Sequence, residues 1–309
     1  MRRLSKKAAT LVGETLTKLQ YDGSSGYACG GGGRLLSSNL KGFTLAEGAT
    51  HVVMLNSQLR FGFTLAEVLV TLGIIGIVAA MTMPVLIANH KKSQTITQLK
   101  KAYTEINQAV RISESKFDTI DTWDFSEFDT VYERNKYFTD NYLLPNLKVV
   151  KTCDTYSKYD CWAEKIYNLD GMVVTRTFTD VTGKTFALVT ASGYSVFYWV
   201  HTVGNGAWFW VDINGPLKRP NTIGKDIFPF IMSWGNAGEI PSVVDGTDCL
   251  KKLGVYPYGL HCKETLSREE LLEDETYPCS KNTGKAMAGG FCGGLIVYDG
   301  WQILNDYPW

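Results

Sequence analysis

The chain is short of the residues that most catalytic sites need. Only four histidines occur in 309 residues, and none accompanies a Gly-x-Ser-x-Gly elbow, so a hydrolase nucleophile has no local signature. The acid pairs Asp121/Asp124 and Glu269/Glu270 lie in polar, solvated stretches. A triad assembled from distant positions stays open, since such sites leave no contiguous motif. No CxxC occurs among the seven cysteines, and His261 beside Cys262 is the one close His–Cys neighbour, a thin basis for zinc. The glycines at 30–33 are not followed by Gly-Lys-Ser/Thr, which argues for a flexible segment over a phosphate loop. Formal charge is zero, with 31 Lys/Arg against 31 Asp/Glu, so nothing in the charge balance favours nucleic acid.

One long apolar run is present. Residues 62–88 read GFTLAEVLVTLGIIGIVAAMTMPVLIA, and Glu67 is their only charge. The 21 residues 68–88 reach roughly 30 Å as a helix, the hydrocarbon thickness of a bilayer. An acid at the edge of such a span is costly unless paired, which marks it as functional. A secretory signal peptide ends its apolar run at a small-residue cleavage site, whereas here Gly62 precedes the run. A plain signal anchor is the alternative, and Glu67 counts against it through its insertion cost.

Glycine, phenylalanine, a glutamate at the fifth position after the glycine, and then an apolar span: this segment closely resembles the processing site of type IV prepilins and of the pseudopilins of type II secretion systems. The resemblance implies cleavage between Gly62 and Phe63 by a prepilin peptidase, N-methylation of Phe63, and an assembly role for Glu67. It also implies a helix kink at Pro84, an inner-membrane assembly platform, and copies of the chain or related pilin-like subunits as partners. A buried carboxylate needs a positive partner, and the free α-amine of a neighbouring Phe63 suits it. That pairing turns one acid into a register device, as a polar residue does in a coiled-coil seam. The rival reading is a membrane-anchored exported binding domain that uses a prepilin-like signal anchor, and a weaker third is an anchored hydrolase.

Residues 1–62 hold eight Lys/Arg and three Asp/Glu, a charge of +5, which leaves −5 on the other 247 because the chain balances at zero. A basic segment ahead of the span puts it in the cytoplasm and the C-terminal body outside, with a single pass through the inner membrane. Sixty-two residues is long for such a leader, and Met54 offers a second start. Residues 42–47, GFTLAE, copy the processing hexapeptide but lead into Gly48-Ala49-Thr50-His51, which cannot span a membrane.

Beyond the span, Asn89-His90-Lys91-Lys92 returns the chain to water. Ile96, Leu99, Tyr103, Ile106 and Val110 then recur at helical spacing, so one helix is expected from 63 to about 117, its outer part (89–117) packed on a head at 118–309. Within the head, 172–178, 185–190, 196–201 and 207–211 read as strands, with Gly193, Gly204 and Gly206 at turns, and 293–303 as a final strand and turn. The fold class is α+β and pilin-like: a long N-terminal helix against an antiparallel β-rich head. Cys29 falls in the leader. Cys153, Cys161, Cys249, Cys262, Cys279 and Cys292 then form an even set suited to disulfides in an exported domain, with Cys153–Cys161 first and the other four pairing among themselves. Finally, 212–226 is rich in turn formers, and Asp212, Asn214, Asn221 and Asp226 could offer hard oxygens to Ca²⁺. Pseudopilins with calcium in a comparable loop raise that reading by resemblance. Lys218, Arg219 and Lys225 oppose it, and a structural loop without any cofactor is the alternative.

Overall fold

A computed structural model describes residues 62–309, except 155–157, 175–184, 202–204, 240–241, 244–247, 283 and 286. The upstream leader, its repeat at 42–47, Cys29, Met54, Gly204 and positions 175–178 of the strand expected over 172–178 lie outside the described residues.

A single helix, α1 (Leu65–Phe117), runs for 53 residues and continues through Pro84, about 80 Å in all. Its two ends differ. Every large apolar side chain from Leu65 to Ile87 is exposed. From Thr95 onward one stripe is buried: Thr95, Leu99, Ala102, Ile106, Ala109 and Ser113, with Val110 buried beside it. The alternating steps of four and three are those of a helix seam. Of the expected stripe, Leu99, Ile106 and Val110 are buried, whereas Ile96 and Tyr103 are only half-buried at its border. Thr95, Ala102 and Ala109 occupy the centre, where small side chains let the head come close. Ser113 fixes the far end, its Oγ donating to the Tyr142 carbonyl at 2.6 Å.

The head is built on a six-stranded antiparallel sheet in the order β1-β2-β3-β4-β5-β8. Its strands are β1 (Val149–Cys153), β2 (Phe186–Thr190), β3 (Ser195–Val200), β4 (Gly206–Asp212), β5 (Ile227–Ser233) and β8 (Gly254–Pro257). A small separate ribbon pairs β6 (Ser242–Val243) with β7 (Asp248–Cys249). Register on the central strands aligns Tyr198 with Phe209 and Phe209 with Phe230. Every residue of β4 and β5 is buried, so these strands are covered on both faces. On one face Tyr198 and Phe209 meet Phe138 of α2 (Val131–Phe138). On the other, Trp199, Trp208 and Trp210 stack in a row, with Tyr258 packed against the central Trp208. Period-two alternation sorts these rings.

Arg134 of α2 is buried and satisfies three carbonyls at once, those of Phe125, His201 and Phe128, at 2.9, 3.2 and 3.0 Å. This guanidinium bolts the segment after α1 onto the sheet. Short helices α3 (Arg268–Glu273) and α4 (Cys292–Tyr298) complete the C-terminal region. Two expectations are corrected here. The tail at 293–303 begins as helix, not strand, because Gly293 and Gly294 lie against Phe228 and the Tyr258 carbonyl, where a Cβ on Gly294 would come within 2.6 Å of that oxygen. Gly206 opens β4 instead of a turn, and the left-handed turn residue is Asn205.

Candidate functional site

Two places carry the residues singled out by sequence. The first is the start of α1. Gly62 and Phe63 precede the helix outside any regular element and are exposed, Phe63 at 86%. A Cβ on Gly62 would meet nothing within 4 Å, so this fold makes no demand for glycine there. Thr64 caps α1 in a reciprocal capping box. The Glu67 N–H donates to Thr64 Oγ1 at 3.2 Å, and the Glu67 carboxylate accepts from the Thr64 N–H and hydroxyl at 2.8 and 2.9 Å. Such a box answers two of the orphan N–H groups at a helix start. Thr64-x-x-Glu67 is the sequence signature of such a box. Pro84 lies inside α1, nearly five turns beyond Glu67 of the capping box by residue count.

The second place is the loop between β4 and β5, which brings the four oxygen-bearing residues together. Asp212 ends β4, fully buried, and its Oδ1 accepts from the N–H groups of Asn214 and Gly215 at 3.2 and 3.1 Å. Asp226, also buried, accepts from the Asn221 and Thr222 N–H groups at 2.8 and 2.6 Å and from the Asn214 side-chain amide at 3.1 Å. Gly215 must be glycine: its φ is +86° and a Cβ would sit 2.8 Å from the Gly193 carbonyl. The loop is thus rigidly held.

Its electrostatics are strained in one direction. Burial, reinforced by the neighbouring Asp226 charge, pushes the Asp212 carboxyl up to about 7, against the pull of two N–H groups. Burial also raises Asp226, which its three donors partly offset. Three buried oxygens here, Asp212 Oδ2, Asn214 Oδ1 and Asn221 Oδ1, have no hydrogen-bond partner. Buried acceptors without donors cost about 1–3 kcal/mol each. Two carboxylates and two amide oxygens are the donor set that a hard cation such as Ca²⁺ takes, so the residues fit that ion. No ion pair joins Lys218, Arg219 or Lys225 to either acid among the described residues, although the Lys218 charge pulls Asp212 down and Lys225 feels Asp226.

The six cysteines pair as Cys153–Cys161, Cys249–Cys262 and Cys279–Cys292. His261 lies with Cys249 and Cys262, but both sulfurs are consumed by the disulfide and offer no thiolate to zinc. Sequence reading missed Arg134 and the buried Lys251, whose Nζ lies 3.1 Å from Cys249 Sγ; neither has a local motif.

Residues 85–309 match a family described as "Family of unknown function (DUF6613)". Residues 58–83 match the prokaryotic N-terminal methylation motif, the prepilin-type cleavage and methylation signal, which indicates a pilin- or pseudopilin-type precursor. No curated protein and no solved structure matches the chain.

Proposed function

We infer, from a chain that belongs to the family of unknown function DUF6613 and carries a prepilin-type signal ahead of it, that the mature protein is a structural subunit of a type IV pilus or a type II secretion pseudopilus. Prepilin peptidase cuts between Gly62 and Phe63 and the new terminus is methylated. The apolar half of α1 anchors the subunit in the inner membrane, the head lies outside the cytoplasm, and an assembly platform stacks subunits by their helices. The observation that carries this reading is the fully exposed apolar half of α1 directly after Gly62 and Phe63. Water is a poor environment for it, and a bilayer or a bundle of like helices suits it equally. Three disulfides in the head accord with an oxidising compartment. The test is mass spectrometry of the N-terminal peptide from cells with the peptidase. A peptide beginning at Phe63 with one added methyl group is expected, and retention of Gly62 overturns the assignment.

One observation favours the rival reading of an anchored exported binding domain: Glu67 already has a local partner in Thr64, so a cap alone accounts for it. Filament formation that needs the charge of Glu67, and not merely its cap, decides against that rival.

The β4–β5 loop is proposed to hold Ca²⁺ through Asp212, Asn214, Asn221 and Asp226. Bound there, the ion would neutralise two crowded carboxylates and tie the ends of two central strands. Thermal unfolding in chelator and in calcium tests it. A higher midpoint in calcium that Asp212→Ala abolishes is expected, and equal midpoints refute the site.

A further inference from the structure

The same loop has an outward side. Beyond the oxygen cluster, a cleft of about 530 Å³ opens between α1 and the loop, with Lys91, Lys218, Arg219 and Lys225 among its walls. These four side chains make no ion pair or side-chain hydrogen bond among the described residues. The acid on the wall, Asp226, is buried with its oxygens turned to N–H donors. Trp309 closes one side, its main-chain oxygen accepting from Lys281. Burial and the Lys281 charge hold Lys225 below its usual range, with Asp226 opposing. The cleft therefore gathers four cations that make no direct ion pair, with the buried Asp212 and Asp226 acting on them only through their field.

Its height along α1 says where the anion comes from. The apolar run ends at Ala88, and Lys91 lies three residues on, about 5 Å at 1.5 Å per residue. The headgroup layer on each side of a bilayer is about 5–7 Å thick. The floor of the cleft therefore lies within that layer whenever the apolar half is in the membrane. Next to Lys218 and Arg219 on the loop tip, Leu217 is 95% exposed. An apolar side chain flanked by cations suits the boundary between headgroups and acyl chains.

We propose that this cleft binds the phosphate group of an anionic phospholipid and seats the foot of the head on the membrane. The proposal rests on the membrane-anchored reading of α1. Cations near an anionic surface contribute to binding individually, so each one removed weakens lipid retention by about fivefold.

The experiment uses native mass spectrometry of the full chain in detergent and chelator, titrated with phosphatidylglycerol, phosphatidylcholine or inorganic phosphate. Wild type is expected to retain phosphatidylglycerol at least tenfold better than phosphatidylcholine. A Lys218→Gln/Arg219→Gln/Lys225→Gln variant is expected to fall to the phosphatidylcholine level. Lys91→Gln, at an exposed helix position, is expected to weaken phosphatidylglycerol retention about fivefold without touching the loop. Equal retention of the two lipids, or full phosphatidylglycerol binding by both variants, overturns the proposal. Displacement of the lipid by inorganic phosphate at equal concentration assigns the cleft to a soluble anion and overturns it too, as does binding of a second copy of the chain in place of lipid. Flotation with neutral liposomes reports the anchor independently: a protein that floats yet shows no lipid preference loses the cleft and keeps the anchor.

Discussion

The two halves of α1 are one unbroken helix with opposite surroundings. Between Leu65 and Ile87 large apolar residues point in all directions and are exposed. Between Thr95 and Ser113 the buried residues gather on one side of the helix, which the head covers. A helix apolar all round needs a surrounding apolar medium, whereas a helix with one stripe needs one packed neighbour. The outer half is thus finished by its own chain, and the inner half is left for a bilayer or other subunits. Composition at each position records which partner is internal.

The sharpest way to break this contrast is to place the same charge in both halves. Ile106→Asp buries an unpaired carboxylate at a position 1% exposed, and a loss of about 3–5 kcal/mol is expected, enough to unfold the head. Ile74→Asp is expected to leave the denaturant midpoint of the head unchanged while releasing the protein from carbonate-washed membranes. Truncation is milder. Leu99→Ala should cost about 2–5 kcal/mol, and Leu72→Ala nothing measurable in the head, both read from chemical denaturation.

The junction of the halves, at 91–98, faces the β4–β5 loop, and pH probes it. An unfolded aspartate loses its proton near 3.8, while folded Asp212 keeps its proton to about 7. Between those values the unfolded state binds fewer protons, so in chelator the stability is full below about pH 4 and falls as pH rises to about 7. Melting midpoints across that window should decline, with Asp226 adding in the same direction. Calcium should flatten the decline, and Asp212→Asn should remove most of it. The smallest effect sits at the start of the inner half. Glu67→Gln preserves the capping box and removes the charge, whereas Glu67→Ala removes both and should cost about 1 kcal/mol of helix stability. Both variants should be cleaved normally. If filaments form with Gln and not with Ala, the cap explains the residue. If both fail to assemble, the charge does.

The long helix, its end at Phe117 and the strands β2 to β4 were legible because each carries a clean period. β5 was not: Ile227–Ser233 is a continuous apolar run with Pro229 inside it, a pattern that period-two reading passes over. The helical tail was hidden by its own glycines, which sequence reads as turns and the structure uses for close approach to Phe228 and Tyr258. Ala102 and Ala109 were missed as the seam centre because small side chains carry little hydrophobic signal. At the candidate sites the residues could be named, but their environment could not. Nothing in Asp212-Ile213-Asn214-Gly215 discloses that one carboxylate oxygen is buried without a donor, and nothing in Lys218 or Lys225 shows that they share a cleft with Lys91.

The capping box has one more effect. The helix's first hydrogen bonds are those between Thr64 and Glu67 and between the Val68 N–H and the Thr64 carbonyl. Among the described residues none reaches back to Gly62. The bond between Gly62 and Phe63 therefore behaves like a tear line: severing it subtracts 62 residues and leaves every hydrogen bond of the helix start in place. Cleavage at the proposed site would leave the helix cap intact, because Thr64 and Glu67 both lie after the cut.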